Sequence, residues 1–122
     1  MKKKCKDLVR NAFKSRMKDI RTLYNAENQE TESYGLSIDF VSAGTFDDQR
    51  KPYARYQLSW GGPAEEFRLY QSGRIEFWYL DWYDGAYVLV EGKDADIIRD
   101  IVLMGESWEQ FQADRKEGEE IE

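Results

Sequence analysis

Hydrophobic residues near the start of the chain recur every three or four positions, which is the spacing of one face of a helix. The spacing predicts an amphipathic helix over residues 4–26, with most of its basic side chains away from the apolar face. That face consists of Leu8, Val9, Ala12, Phe13, Met17, Ile20, Leu23 and Tyr24. A polar link, residues 25–33, follows the predicted helix.

From residue 34 the hydrophobic period changes to two, which is typical of strands with one buried face. Five segments are predicted as strands of an antiparallel meander: residues 34–41, 53–60, 65–71, 74–83 and 86–92. The inward-facing residues of the first three are Tyr34, Leu36, Ile38, Phe40, Tyr56, Leu58, Trp60, Phe67 and Leu69. Asp84-Gly85 is a strong signal for a two-residue hairpin turn before the last strand.

Helical spacing returns after Gly92, with Ile97, Ile98, Ile101 and Val102 on one face. A last short helix carries Trp108 and Phe111, and the acidic end of the chain, residues 117–122, is predicted to fray. The sequence therefore predicts an α+β fold: an N-terminal amphipathic helix, a meander of four to five strands, and one or two C-terminal helices. Residues 1–116 are expected to form one domain.

The fourth predicted strand holds five aromatic rings within residues 77–83, so both of its faces are substantially apolar. One face belongs to the core. The other, with Trp78, Trp82 and a contribution from Tyr70 or Trp60, has three interpretations. The terminal helix with Trp108 and Phe111 covers it, or it stacks the rings of a ligand, or it anchors a protein partner.

Composition excludes several kinds of chemistry. The 122 residues contain no histidine and a single cysteine, Cys5, so histidine-dependent nucleophiles, histidine metal sites and structural zinc are all excluded. The carboxylates around the last hairpin match no calcium loop. We therefore expect no enzyme, no catalytic residue, no metal and no cofactor. With no apolar run near the length of a membrane span and no signal sequence, we expect a cytoplasmic protein.

Charge is segregated along the chain. Residues 1–21 carry nine Lys or Arg and two Asp, a net of +7, whereas residues 22–122 carry a net of −13. The basic helix either neutralises the acidic body of its own chain or meets that of a second copy, which leaves a homodimer open. The acidic remainder would repel phosphate and anionic lipid, so direct nucleic-acid or membrane binding is not expected.

The block "YQLSWGGPAEEFRLYQSGRIEFWYLDWYDGAYVLV", residues 56–90, resembles small accessory proteins of phages and plasmids, through its "WGGP" and "DWYDGA" motifs. The resemblance implies a mobile-element protein of the kind that inhibits host defence, including anti-CRISPR and anti-restriction proteins. It implies no catalytic residue and favours non-enzymatic binding.

The resulting hypothesis is an inhibitor that binds a nucleic-acid-handling host defence complex, with carboxylates placed where that complex expects phosphate, as a DNA mimic. The candidate partner-binding residues are Asp47, Asp48, Glu65, Glu66, Trp78, Asp81, Trp82, Asp84, Glu106 and Glu109. The alternative is a protein that sequesters a nucleotide-like signal on an aromatic sheet face. Its candidate ligand-binding residues are Arg68, Tyr70, Arg74, Trp78 and Trp82.

Overall fold

The computed structural model describes residues 4–26, 34–46, 49–81 and 84–120. Its elements in chain order are α1 (Cys5–Tyr24), β1 (Ser37–Val41), β2 (Tyr53–Ser59), β3 (Ala64–Leu69), β4 (Ile75–Asp81), β5 (Asp84–Val90), α2 (Gly92–Leu103) and α3 (Trp108–Glu120). The strands form one antiparallel sheet in the order β1-β2-β3-β4-β5. The predicted α+β fold with an antiparallel meander is confirmed, and the number of strands is five.

All three helices contribute to one hydrophobic core on a single face of the sheet. Phe13 of α1 packs against Phe67 and Phe77, with ring centroids 6.4 and 5.6 Å away. Trp108 of α3 lies 6.0 Å from Phe40 of β1, in the same buried cluster. The opposite face carries no helix of the described chain, and we call it the open face.

The interpretation that Trp108 and Phe111 cover the second sheet face is therefore wrong. Both side chains are buried in the cluster that also contains the apolar residues of α1 and α2. The physical reason is that β1 offers the apolar ring of Phe40 to Trp108 on the core side, whereas the other face is occupied by charged side chains.

Strand β1 is shorter than predicted at its start. Tyr34 lies before the strand, where its hydroxyl donates to Asp19 of α1 at 2.9 Å and accepts from Arg16 at 3.2 Å. Leu36 is exposed rather than buried. The inward-facing prediction is therefore wrong for Leu36, whereas Tyr34 is partly buried and packs against the core, held there by α1 rather than by the sheet.

Trp60 was predicted to share the inward face of Tyr56 and Leu58, and this prediction is wrong. A register shift between Gln57 and Ser59 interrupts the pairing of β2 with β3. Because an extra residue in a strand reverses the faces of those that follow, Trp60 emerges exposed, beside Arg55.

The predicted turn at Asp84-Gly85 is also displaced. Asp81 pairs with Asp84 and Leu80 with Gly85, so both Asp84 and Gly85 belong to β5. A Cβ atom at position 85 would lie 2.8 Å from Cδ2 of Leu80, so glycine allows the Leu80 side chain to pack close to the β5 backbone. Residues 82–83, between the strands, lie outside the described residues.

At the C-terminus, α3 continues to Glu120, so the tail predicted to fray from residue 117 overlaps this helix. Most of the predicted polar link, residues 27–33, lies outside the described residues, as do the last two residues of the chain.

Candidate functional site: the open sheet face

Four side chains form a stacked row across the open face, one from each of β2, β3, β4 and β5. The Arg68 guanidinium carbon lies 4.8 Å from the ring centroid of Tyr53 on one side and 4.2 Å from that of Trp78 on the other. Trp78 in turn stacks on Tyr87, with centroids 4.8 Å apart and ring planes 27° apart. The stacked row is therefore Tyr53, Arg68, Trp78 and Tyr87. Arg68 is attracted to the negative faces of the Tyr53 and Trp78 rings, and Trp78 and Tyr87 form a ring-on-ring stack.

Two carboxylates lie beneath this row, and both are almost fully buried. Glu66, 3% exposed, accepts from Arg68 Nε at 2.7 Å. Glu76 accepts from three donors: Arg74 Nε at 2.7 Å, Trp78 Nε1 at 2.8 Å and the Tyr70 hydroxyl at 3.1 Å. These bonds offset the cost of removing carboxylates from water, and they fix the orientation of Trp78.

The stacked row changes the interpretation of Trp78 as a platform for ligand rings. One ring face is covered by Arg68 and the other by Tyr87. A nucleobase could stack on Trp78 only by displacing one of them. Of the residues predicted to bind a ligand, the structure brings Arg68, Tyr70, Arg74 and Trp78 together, while Trp82 lies outside the described residues.

An open-sided cavity of about 450 Å³ lies at the β2 end of the stacked row. Its walls come from the row itself and from the segment between β1 and β2. The lining includes Phe46, Gln49, Arg50, Lys51, Tyr53, Arg68, Tyr70 and Trp78. A second, smaller groove at Pro52 and Gln71 shares Lys51 and Tyr70 with it. A volume of this size suits a small molecule.

Tyr53 is the most deeply placed residue in this lining, with 1% of its surface exposed. Its hydroxyl has no hydrogen-bond partner among the residues that the structure describes. Burial raises the pKa of this hydroxyl above its ordinary value of 10.0, and the neutral hydroxyl is a donor at pH 7 even without that shift. An unpaired buried hydroxyl costs about 1–3 kcal/mol.

Over most of the open face, each positively charged side chain is paired with a negatively charged one. Arg55 pairs with Asp39 at 2.7 Å, Arg68 with Glu66, and Arg74 with Glu76. Arg50 and Lys51 at the cavity are exposed, and no ion pair to them occurs within the described ranges. Among the described residues, the cavity rim therefore carries two positive side chains without an ion-pair partner, in a chain of net charge −6.

The candidate acidic residues do not gather on one surface. Glu65 forms a bidentate pair with Arg16 of α1, and Glu66 is buried, so neither presents a free surface charge. Asp84 Oδ2 accepts a hydrogen bond from the Cys5 backbone N–H at 2.8 Å, which lowers the pKa of Asp84. The bond also gives a partner to one of the first N–H groups of α1, which have none within the helix. Asp81 lies half-buried opposite Asp84.

The other two acidic candidates in the described chain, Glu106 and Glu109, lie where α2 meets α3. Glu106 lines a groove there together with Asp96, Arg99 and Asp100, none of which was among the predicted partner-binding residues. We call Asp96, Asp100, Glu106 and Glu109 the acidic corner. Asp47 and Asp48 lie outside the described residues.

Sequence reasoning missed Tyr53, Arg50 and Lys51 as site residues. Tyr53 shares a face of β2 with Arg55 and Gln57, and this polar alternation is visible in the sequence. No local sequence pattern predicts that residues 49–51 lie beside the stacked row. That proximity depends on packing between segments far apart in the chain.

Comparison with protein-family models, with curated proteins and with solved structures returned no match to this chain. Among the described residues, no helix is long and apolar enough to cross a bilayer. In the same residues, no group of three or more acidic or thiol side chains comes together as a metal site would require.

Proposed function

We propose that this chain is a non-enzymatic binding protein of the anti-defence kind. It inhibits a nucleic-acid-handling host complex by docking onto it through the open face. The observation that supports the proposal is that the three helices of the described residues pack on one side of the sheet, and no described helix covers the opposite side. The resemblance of residues 56–90 to phage and plasmid accessory proteins agrees with this role.

The residues exposed on the open face are of the types that anchor protein interfaces. Trp60 is 57% exposed, Tyr87 and Leu89 are exposed on β5, and Arg55 and Arg74 lie against Trp60 and Tyr87. Trp, Tyr and Arg are the most frequent energetic hot spots. Five strands about 4.8 Å apart give a face of roughly 500 Å², a large part of the about 800 Å² that each partner contributes to a standard interface.

The DNA-mimicking part of the proposal involves a different surface, the acidic corner. Glu65, Glu66 and Asp84 are the more deeply engaged within the protein, so the acidic corner is the better candidate for attracting a basic partner. There, Asp96 pairs with Arg99 at 3.1 Å and Asp100 accepts from the Tyr24 hydroxyl at 2.6 Å, but both side chains stay exposed. Asp96, Asp100 and Glu109 are exposed there. Their contribution would be long-range attraction, which salt screens over about 10 Å.

The test is native mass spectrometry of tagged protein purified from cells that carry defence systems. We expect a nucleic-acid-binding complex to co-purify. The double variant Trp60→Ser/Tyr87→Ser should reduce its recovery by about tenfold or more, since hot-spot truncations cost about 2 kcal/mol or more. Met104→Ser is the matched control, because Met104 is similarly exposed, at 53%, but lies at the end of α2.

Two results would contradict the docking surface. If Trp60→Ser/Tyr87→Ser retained the partner while charge reversal at Glu106 and Glu109 released it, the acidic corner would be the interface. If both variants retained the partner, neither surface would bind it.

A second candidate function, sequestration of a small ligand, is favoured by the cavity beside Tyr53. In the same mass spectrum it would appear as an added small mass on the protein without any protein partner.

A further inference from the structure

The cavity at the β2 end of the stacked row has the features of a built binding site rather than a gap between side chains. Its floor includes Tyr53, whose ring is held between Arg68, at 4.8 Å, and Tyr70, at 5.7 Å. Arg68 is itself fixed by its bond to Glu66. These contacts hold the wall in one conformation before any ligand arrives, which lowers the entropic cost of binding.

The polar groups at the cavity are mainly donors. The Tyr53 hydroxyl lacks a partner among the described residues, and Arg68 has five N–H donors, of which Nε–H is used by Glu66. Arg50 and Lys51 add two exposed positive charges at the rim. Within the described lining, these groups match a ligand that brings acceptors and negative charge.

The remaining lining is apolar or aromatic. Phe46 is exposed at the rim, and Trp78 presents its ring edge because both of its faces are covered. Stacking of a ring between the members of the row is therefore blocked, but an apolar group can lie against Phe46 and the edge of Trp78.

We propose that this cavity binds a small organic anion, a phosphate or carboxylate attached to a compact apolar or aromatic group. The anion lies near Arg50, Lys51 and Arg68 and accepts a hydrogen bond from Tyr53, while its apolar part contacts Phe46. The inference rests on the ligand-binding candidate function and is independent of the proposed inhibition of a protein partner. A nucleoside monophosphate belongs to this class, but contact with its base would be at the rim.

Isothermal titration calorimetry on the purified full chain tests the proposal, with phenyl phosphate and AMP as probes and inorganic phosphate and phenol as the separated parts. We expect either phenyl phosphate or AMP to bind about tenfold or more tightly than each separated part. These titrations involve no protein partner, so a negative result would not count against the docking proposal.

Three variants locate the binding. Arg50→Gln/Lys51→Gln should weaken affinity by about tenfold and reduce its dependence on salt, because both residues act through charge. Tyr53→Phe should weaken it by about fivefold, the loss of one hydrogen bond. It should not lower the melting temperature, since the hydroxyl has no partner in the described protein. The control, Lys14→Gln/Lys18→Gln, removes two exposed charges from α1 and should leave affinity unchanged.

The proposal is overturned if neither phenyl phosphate nor AMP binds, or if binding is unaffected by the Arg50/Lys51 and Tyr53 variants. It is also overturned if inorganic phosphate binds as tightly as phenyl phosphate and AMP, because the apolar half of the site would then have no role.

Discussion

Individual side chains explain how the open face, on which no described helix packs, can still hold buried polar groups. Gln57, Glu66 and Glu76 are all buried there, beneath the larger residues of the stacked row. Glu76 is the clearest case, because it accepts from an arginine, a tryptophan and a tyrosine at once. Such a carboxylate orders its neighbours, and the exposed surface above it is correspondingly well defined.

The Tyr70 hydroxyl provides a prediction at this scale. Burial, and then the nearby carboxylate of Glu76, raise the pKa of Tyr70 to about 12, from an ordinary value of 10.0. The folded state thus favours the neutral hydroxyl. Its contribution to stability is complete below pH 10 and is lost as the pH rises toward about 12.

Ultraviolet absorbance of phenolate in the folded protein, compared with Tyr70→Phe, measures this shift. The difference between the two titrations should have its midpoint near 12. The wild-type unfolding free energy should also fall more steeply than that of Tyr70→Phe between pH 10 and 12. A difference titration centred near 10.0, the ordinary tyrosine value, would show that Tyr70 is not held in this way.

At the scale of elements, Gly35 controls how closely the chain before β1 can approach β2. A Cβ atom there would collide with the Tyr56 ring and lie 2.9 Å from the Gln57 carbonyl oxygen. Gly35→Ala should therefore destabilise the protein by about 1–3 kcal/mol, as overpacking does. Denaturant unfolding measures the change.

Gly61→Ala is the control for this substitution. A Cβ atom at position 61 would meet nothing within 4 Å, so stability should change by less than about 0.5 kcal/mol. Equal unfolding midpoints for Gly35→Ala and wild type would mean that the approach to β2 is looser than the structure shows.

The elements themselves could be predicted because their signals are local. Alternation identified the strands, and the three-and-four spacing identified α1 within a few residues of its observed ends. Trp60 was misplaced because a β-bulge reverses the alternation without changing the pattern of residue types. The interpretation that α3 covers the second face was wrong because local sequence does not show which face a helix packs on. Here Trp108 of α3 packs against Phe40, far away in the chain, on the core face.

The functional surface was less predictable than the fold for the same reason. The sequence showed that β4 has two apolar faces, and it indicated Arg68, Tyr70, Arg74 and Trp78 as neighbours. It could not show that Arg68 and Tyr87 cover both faces of Trp78, because that depends on the register of three strands. The burial of Glu66 has the same origin.

On the scale of the whole molecule, ion pairs tie the basic helix α1 to both the sheet and the neighbouring helix. Arg16 and Arg21 of α1 pair with Glu65 and Asp94, which joins the basic helix to β3 and α2. Lys14 and Lys18 remain exposed on α1, and the acidic corner lies where α2 meets α3. The open face, by contrast, is mostly charge-balanced, which suits recognition by shape and aromatic contact.

The central claim is that the open face is uncovered in the free protein and is the surface that a partner covers. Hydroxyl-radical footprinting tests it directly, with the protein alone and in complex with whatever co-purifies from cells. In the free protein, Trp60 and Tyr87 should be modified rapidly and Trp108 slowly. In the complex, modification of Trp60 and Tyr87 should fall while that of Met104 stays unchanged. Rapid modification of Trp108 in the free protein, or protection of Met104 with Trp60 and Tyr87 still reactive in the complex, would contradict the account.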